Sequence, residues 1–258
     1  MRAFPPPGFP PPPGPIPQLL FERYLRRLAA RHFAAVHWTA GGAAWDRSVP
    51  TLFVANHTNW WDGFLGFLVT RRLGLDFQVL MEARHLGRYR TFLRIGALPL
   101  RRDRPREAYA DLTAAAAYLR PRVGFWVFPQ GERRPPAEPV ANCGKGAAHL
   151  ASGHGGALRI CPVAFRYAFV GEQLPEAFVM AGDPWISEPG ERGGRDALMP
   201  LIEARLRRTV AALDDLVRAE RLDAFRPLAV GRLSVNKRLD RFRHAVGLLR
   251  GPFEARNG

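Results

Sequence analysis

The sequence predicts an α/β domain: a mixed, largely parallel sheet flanked by helices, with amphipathic helices at both termini. Three observations predict it. Short apolar runs alternate with helix-length stretches between residues 51 and 181, the pattern of strand–helix–strand crossovers. The chain has 258 residues, 47% of them hydrophobic, enough for one substantial core. No internal repeat and no second hydrophobic core is visible, so one domain over 18–250, with its core motifs in 50–185, is the simplest organisation.

Residues 4–17 read FPPPGFPPPPGPIP. Proline removes backbone donors, so residues 1–17 are expected to form a disordered or polyproline arm. In residues 18–36, Leu20, Tyr24, Leu28 and Phe33 recur near one helical face, with Arg23, Arg26, Arg27 and Arg31 elsewhere. Two readings stand: a surface helix covering the core, or a basic helix lying on a membrane. Strands are expected at 51–55, 77–81, 97–100, 123–128, 158–165 and 177–181, and helices at 61–72, 105–120 and 144–152. Residues 195–222 read as one or two helices. Residues 237–251 form another basic amphipathic stretch, and 251–258 a tail.

The formal charge is +15, and of 38 basic residues only Lys145 and Lys237 are lysines. Arginine excess reflects either genomic composition or contact with phosphates, on nucleic acid or anionic lipid. No helix-turn-helix, zinc or aromatic RNA-binding signature accompanies it, which argues against nucleic acid. No apolar run reaches the roughly 18 residues of a spanning helix, and the N-terminus opens on prolines where a secretory leader has an apolar segment. The expected location is cytoplasmic, peripheral on the inner face of a membrane. Cys143 and Cys161 have neither disulfide-framework nor zinc-ligand spacing. The histidines show no H-E-x-x-H pattern, so no metal is expected. The segment CGKGA (143–147) lacks the glycine before it and the Ser or Thr after it that a phosphate loop needs.

The chemistry gathers at strand ends. In TLFVANHTNWWDGF (51–64), a strand stops at Asn56, and His57 and Asp62 follow five residues apart. In a regular helix that spacing puts two side chains on different faces, so they meet only across a turn. Thr58 and Asn59 suit the start of a helix there. An aspartate on one imidazole nitrogen sets the tautomer and makes the other nitrogen a general base; the plain alternative is a histidine capping a loop. FPQGERR (128–134) follows another strand. Gly131 permits positive φ or close approach, and Arg133 offers a planar fork to a phosphate; the plain alternative is a solvated turn. In an open sheet of this kind both segments face one crevice. IGALPLRRD (95–103) delivers Arg101 and Arg102 to a strand end, and RICPVAFRY (159–167) is a buried strand carrying Pro162. Trp60 and Trp61 read as channel lining or as packing at the helix start.

Taken in order, these four segments resemble the four blocks of the glycerolipid acyltransferase superfamily, lysophosphatidic-acid type. NHTNWWD resembles its N-H-x4-D block. GALPLRR resembles its glycine-to-arginine block, with Arg102 at the matching position. FPQGERR resembles F-P-E-G-T-R, and ICPV resembles the block built around V-P. KGAAHLA (145–151) is similar to the family's lysine-led helix start.

The resemblance implies transfer of a fatty acyl group from an acyl-CoA or acyl-carrier-protein thioester to a lipid hydroxyl, with no cofactor. His57 would be the base and Asp62 its orienting partner. Arg102, Gln130, Gly131, Glu132, Arg133 and Lys145 would bind substrate. The implied partners are the thioester donor, a lipid acceptor and an anionic membrane. Two positions depart from the pattern: Gln130 stands for the family's glutamate and Glu132 for its threonine. They leave the acceptor open between a lysophospholipid and a glycosylated or isoprenoid lipid alcohol. The competing reading is a non-catalytic basic protein that binds membrane surfaces.

Overall fold

A computed structural model describes residues 5–40, 45–192 and 194–231; the basic stretch expected at 237–251 and the tail lie outside them. The elements follow in order: α1 (Pro15–His32), β1 (Ala35–Thr39), β2 (Thr51–Ala55), α2 (Trp61–Arg72), β3 (Asp76–Glu82), α3 (Ala83–Arg88), β4 (Ala97–Leu100), α4 (Pro105–Ala115), β5 (Val123–Val127), α5 (Gly146–Gly153), β6 (Leu158–Ala168), β7 (Glu176–Ala181), β8 (Trp185–Ser187), α6 (Gly194–Arg218) and β9 (Arg226–Val230). One sheet runs β4-β3-β5-β2-β6-β7-β1-β9, with β8 paired to β6. The five strands from β4 to β6 in that order are mutually parallel. β7 turns antiparallel to β6, β1 runs parallel to β7, and β9 closes the far edge antiparallel.

Alternation along the central strands divides the core in two. Phe53 and Ala55 of β2, Trp126 of β5, and Cys161, Val163 and Phe165 of β6 face α1 and α2. Leu52, Val54, Phe125, Val127, Leu158 and Ile160 face the side covered by α5 and α6. Strands covered on both faces read as continuous apolar runs, which is why β2 and β5 are buried at every position. α2 packs tightly on this sheet. A side chain at Gly66 would put its Cβ 3.1 Å from the Trp126 ring, so glycine lets the helix lie directly on that indole. One turn on, Trp126 Nε1 donates to Thr70 Oγ1 at 2.7 Å, fixing the helix along its axis.

The structure adds α3, β8 and β9 to the expected elements, and it differs from the sequence reading most at the N-terminal end. The expected helix over 18–36 ends at His32, and Val36 and Trp38 enter the sheet as the buried positions of β1. A β-branched and an aromatic residue at alternate positions, paired in the sheet between β7 and β9, outweigh a helical period that happens to continue through them. The same helix begins earlier than expected, because Pro15 at the first helical position has its φ pre-set and needs no N–H partner. The proline-rich arm, expected to be disordered or polyproline, has an anchored part: the Phe9 ring sits 6.1 Å from that of Tyr118, whose hydroxyl donates to the Pro10 carbonyl. Prolines lose little further conformational freedom on ordering, so a few contacts suffice.

The stretch 195–222, read as one or two helices, holds one α-helix, α6, which runs unbroken through Pro200 and ends at Arg218. Among the described residues no helix is long and apolar enough to cross a membrane.

Candidate active site

β2 and β5 are adjacent and parallel, so their carboxyl ends open on the same edge of the sheet. The chain leaving β2 is first tied to the opposite neighbour. Asn56 donates through Nδ2 to the Phe165 carbonyl at 3.1 Å, and its Oδ1 accepts the Phe165 N–H at 2.8 Å. A side-chain amide thus mimics one more rung of the β2–β6 ladder and frees the main chain to turn at His57.

His57 is gripped by its backbone from the β5 side. Its N–H donates to Gln130 Oε1 at 2.7 Å, and its carbonyl accepts the Arg134 N–H at 2.8 Å. Its ring stacks on Phe128, with centroids 4.5 Å apart. The turn after β5 is the cradle of the histidine. Gln130 is nearly buried, and its carbonyl oxygen is occupied by the His57 amide. This is a positioning role where the sequence predicted a substrate contact, and an amide serves it as well as a carboxylate because only an acceptor is needed.

Asp62 lies in the first turn of α2 and is fully buried. His57 Nδ1 donates to its Oδ2 at 2.8 Å, and the same oxygen accepts the N–H groups of Thr58 at 2.7 Å and Asn59 at 2.8 Å. The five-residue spacing is therefore bridged by a turn, as the sequence requires. Because Nδ1 carries the proton, the lone pair of the imidazole lies on Nε2, which has no partner among the described residues. His57 keeps 22% of its side-chain exposure, so Nε2 is open to substrate.

The carboxylate has a fourth donor that sequence reasoning missed. Tyr167 Oη donates to Asp62 Oδ1 at 2.6 Å. Burial, then the nearby Asp62 charge, pushes the Tyr167 phenol well above its ordinary range, so it stays protonated and donates. The sequence shows only that positions 163, 165 and 167 share a strand face; that this face covers α2 is seen in the structure alone. Asn56 was overlooked in the same way.

The remaining expected residues divide. Arg102 Nη1 donates to the Gly131 carbonyl. Gly131 has φ +73°, a backbone conformation that favours glycine, and a Cβ there would also displace the Arg102 guanidinium, whose carbon would lie 2.8 Å away. Arg133 is exposed and makes no ion pair among the described residues. Glu132 is paired with Arg134 at 2.6 Å on the surface, which accounts for a charged residue in that place. Lys145, at the start of α5, is paired with Asp196 of α6 at 2.5 Å, and among the described residues no hydrogen bond or ion pair joins it to His57 or Asp62. Of the two tryptophans, Trp61 is buried against Phe33, with centroids 4.9 Å apart, and Trp60 is half exposed.

No cysteine serves as a nucleophile here. Burial, with the Glu203 carboxylate beside it, pushes the Cys143 thiol up to about 12. Burial raises fully enclosed Cys161 further still. Neither is a thiolate near neutrality. Thr58 Oγ1, next in sequence to His57, is buried and has no hydrogen-bond partner among the described residues; it is not aligned on the imidazole.

Comparison with known proteins bears on the fold and on the middle of the chain. A search of curated proteins found no match. The crystal structure of the 1-acyl-sn-glycerophosphate (LPA) acyltransferase PlsC from Thermotoga maritima has a similar fold. It has a TM-score of 0.54 and 21% sequence identity, covering 76% of this chain and 79% of that one. Residues 40–166 match the acyltransferase family model. His57, Asp62, Arg102 and the whole β5 turn stand inside that stretch, and residues 40–166 are thus similar to an acyltransferase domain.

Proposed function

We propose that the protein transfers a fatty acyl group from an acyl-CoA or acyl-carrier-protein thioester to a hydroxyl of a lysophospholipid or related lipid, with His57 as general base. The observation that carries this reading is the commitment of His57 Nδ1 to a buried carboxylate while Nε2 stays open. In the reaction, Nε2 takes the acceptor's hydroxyl proton as its oxygen attacks the thioester carbonyl. The tetrahedral intermediate collapses with cleavage of the C–S bond. The departing thiolate takes the proton back from the imidazolium, leaving an ester and a free thiol. Transfer is direct, in keeping with the absence of a primed nucleophile beside His57 among the described residues.

Arg133 supplies an unpaired guanidinium at the rim of the site and is assigned to a phosphate of acceptor or donor. An assay of purified protein with acyl-CoA and acyl-carrier-protein donors tests the reading. The acceptors are lysophosphatidate, lysophospholipids and glycosylated or isoprenoid alcohols. Ester formation with at least one lipid alcohol is expected, and Arg133→Ala should raise KM for the phosphate-bearing substrate by about tenfold, the scale of one lost charged hydrogen bond. No transfer to any acceptor from either donor would leave the membrane-binding reading in its place.

The protein is proposed to work at the inner face of a membrane. Ile16, Leu20 and Tyr24 recur every fourth residue on α1 and are 68%, 62% and 57% exposed; Trp60, three residues from His57, is 50% exposed. A chain of ring contacts from Tyr24 through Phe21 and Phe64 joins α1 to Trp60. Arg23, Arg27 and Arg31 lie exposed along the same helix. An apolar stripe beside arginines suits an anionic bilayer surface. The double substitution Leu20→Glu with Tyr24→Glu should weaken binding to phosphatidylglycerol vesicles about tenfold or more without lowering the melting temperature. Undiminished vesicle binding by the folded variant would rule this face out.

A further inference from the structure

Asp62 is an unusual carboxylate. It is fully enclosed, and no lysine or arginine pairs with it among the described residues. Its charge is held by four hydrogen bonds alone. Three of them converge on Oδ2, from His57 Nδ1 and the Thr58 and Asn59 amides. All three come from the same short turn. Oδ1 has one partner, Tyr167, which lies 105 residues away on β6.

That asymmetry defines what Tyr167 does. A carboxylate on a single Cβ can rotate about its C–C bond, and three donors on one oxygen do not fix the plane of the group. A donor on the other oxygen does. The Tyr167 ring is itself clamped: it stacks at 5.9 Å on Phe33, at the end of α1. Its position on β6 is set by the ladder that pairs Tyr167 with Ala177 of β7. The hydroxyl is therefore a fixed point, and the carboxylate is suspended between it and the turn. The residue also lies one position beyond the stretch matched by the family model, so the match assigns it nothing.

We propose that Tyr167 is a positioning residue for the acid–base pair: its hydroxyl pins Oδ1 of Asp62 and thereby holds Oδ2 in line with His57 Nδ1. The proposal rests on the reading of His57 as the base. A second consequence concerns basicity. A donor on Oδ1 draws negative charge away from Oδ2, which weakens the hold of the carboxylate on an imidazolium. Without it, the charge concentrates on Oδ2, and His57 keeps a proton more tightly. Among the described residues, no other titratable side chain hydrogen-bonds to the pair besides Tyr167. Phe128 and Gln130 approach from the β5 side, and Arg134 there contributes its backbone while its guanidinium pairs with Glu132. From α1, Phe33 meets Tyr167 and Trp61, and His32 meets Trp61 at 5.5 Å without touching Asp62.

The test is Tyr167→Phe, which keeps the ring and its stacking. The titration of the His57 imidazole is followed by NMR in the intact folded protein, a readout that requires no turnover and so stands apart from the question of which reaction is catalysed. The midpoint is expected to rise by about half a pH unit or more. In active protein, the acid limb of kcat/KM should move up by the same amount, and kcat should fall about tenfold with KM changed less than about twofold. A ring-fluorinated tyrosine at position 167, a stronger donor of the same shape, should move the midpoint down. A His57 midpoint that stays within about 0.2 unit in both variants, or moves in the opposite sense, overturns the proposal. A loss of melting temperature alone with an unmoved titration shows a merely structural hydroxyl and overturns it equally.

Discussion

Alanine at position 57 should leave a folded protein whose acyl transfer is slower by about 10²-fold or more, the usual scale for a lost general base. The fold survives because the histidine is held by its main chain. The His57 N–H still reaches Gln130 and its carbonyl still receives the Arg134 amide. What is lost is the stacking on Phe128 and one of four donors to Asp62. Those losses lower stability by about 1–2 kcal/mol. Single-turnover transfer beside a melting curve measures both effects, and near-normal turnover in a folded His57→Ala protein sinks the mechanism.

Asparagine at position 62 separates charge from geometry. The carboxamide can present its oxygen to His57 Nδ1 and to the Thr58 and Asn59 amides, while its NH2 faces Tyr167, whose hydroxyl then accepts. Every hydrogen bond finds a counterpart and the tautomer of His57 is retained, so folding is little disturbed. The negative charge that stabilises the imidazolium is gone. Transfer is expected to slow by about 10²-fold, mostly in kcat, since the charge matters only once the proton has moved. Asp62→Ala goes further by leaving two amides without a partner in a buried turn, costing about 1–3 kcal/mol for each. If Asp62→Asn turns over at the normal rate while Asp62→Ala does not, the aspartate orients the ring and its charge contributes nothing.

Both arguments were half legible in the sequence. The spacing of His57 and Asp62, the strand that ends before them and the glycine after β5 are local signals. A turn is the only way two residues five apart can meet at a helix start. Runs such as 51–55 and 97–100 stand out because both flanks break the pattern, and the structure places β2 and β4 at those same residues. Residues 33–39 were not legible, since a helical period carries on past the point where the sheet captures Val36 and Trp38 between β7 and β9. The roles of Asn56, Gln130 and Tyr167 were not legible either. Each depends on which strands become neighbours, and neither composition nor spacing records that β2 lies between β5 and β6. The exposed apolar stripe of α1 was visible as a pattern, but only burial of Gln18, Leu25 and Ala29 shows which face is turned inward.

The suspension of Asp62 has a consequence for when the protein can act. The histidine and the carboxylate lie within one turn, yet Gln130 is 73 residues from His57 and Tyr167 is 105 residues from Asp62. Contacts of such long sequence separation form only after the loops between them have closed, and they set a slow pace for sheet assembly. A chain that has collapsed around α1 and α2 alone would carry His57 without its supports. Catalytic competence is therefore acquired in the last steps of folding, when β5 and β6 dock on either side of β2. Recovery of activity after dilution from denaturant should lag behind the return of helical signal.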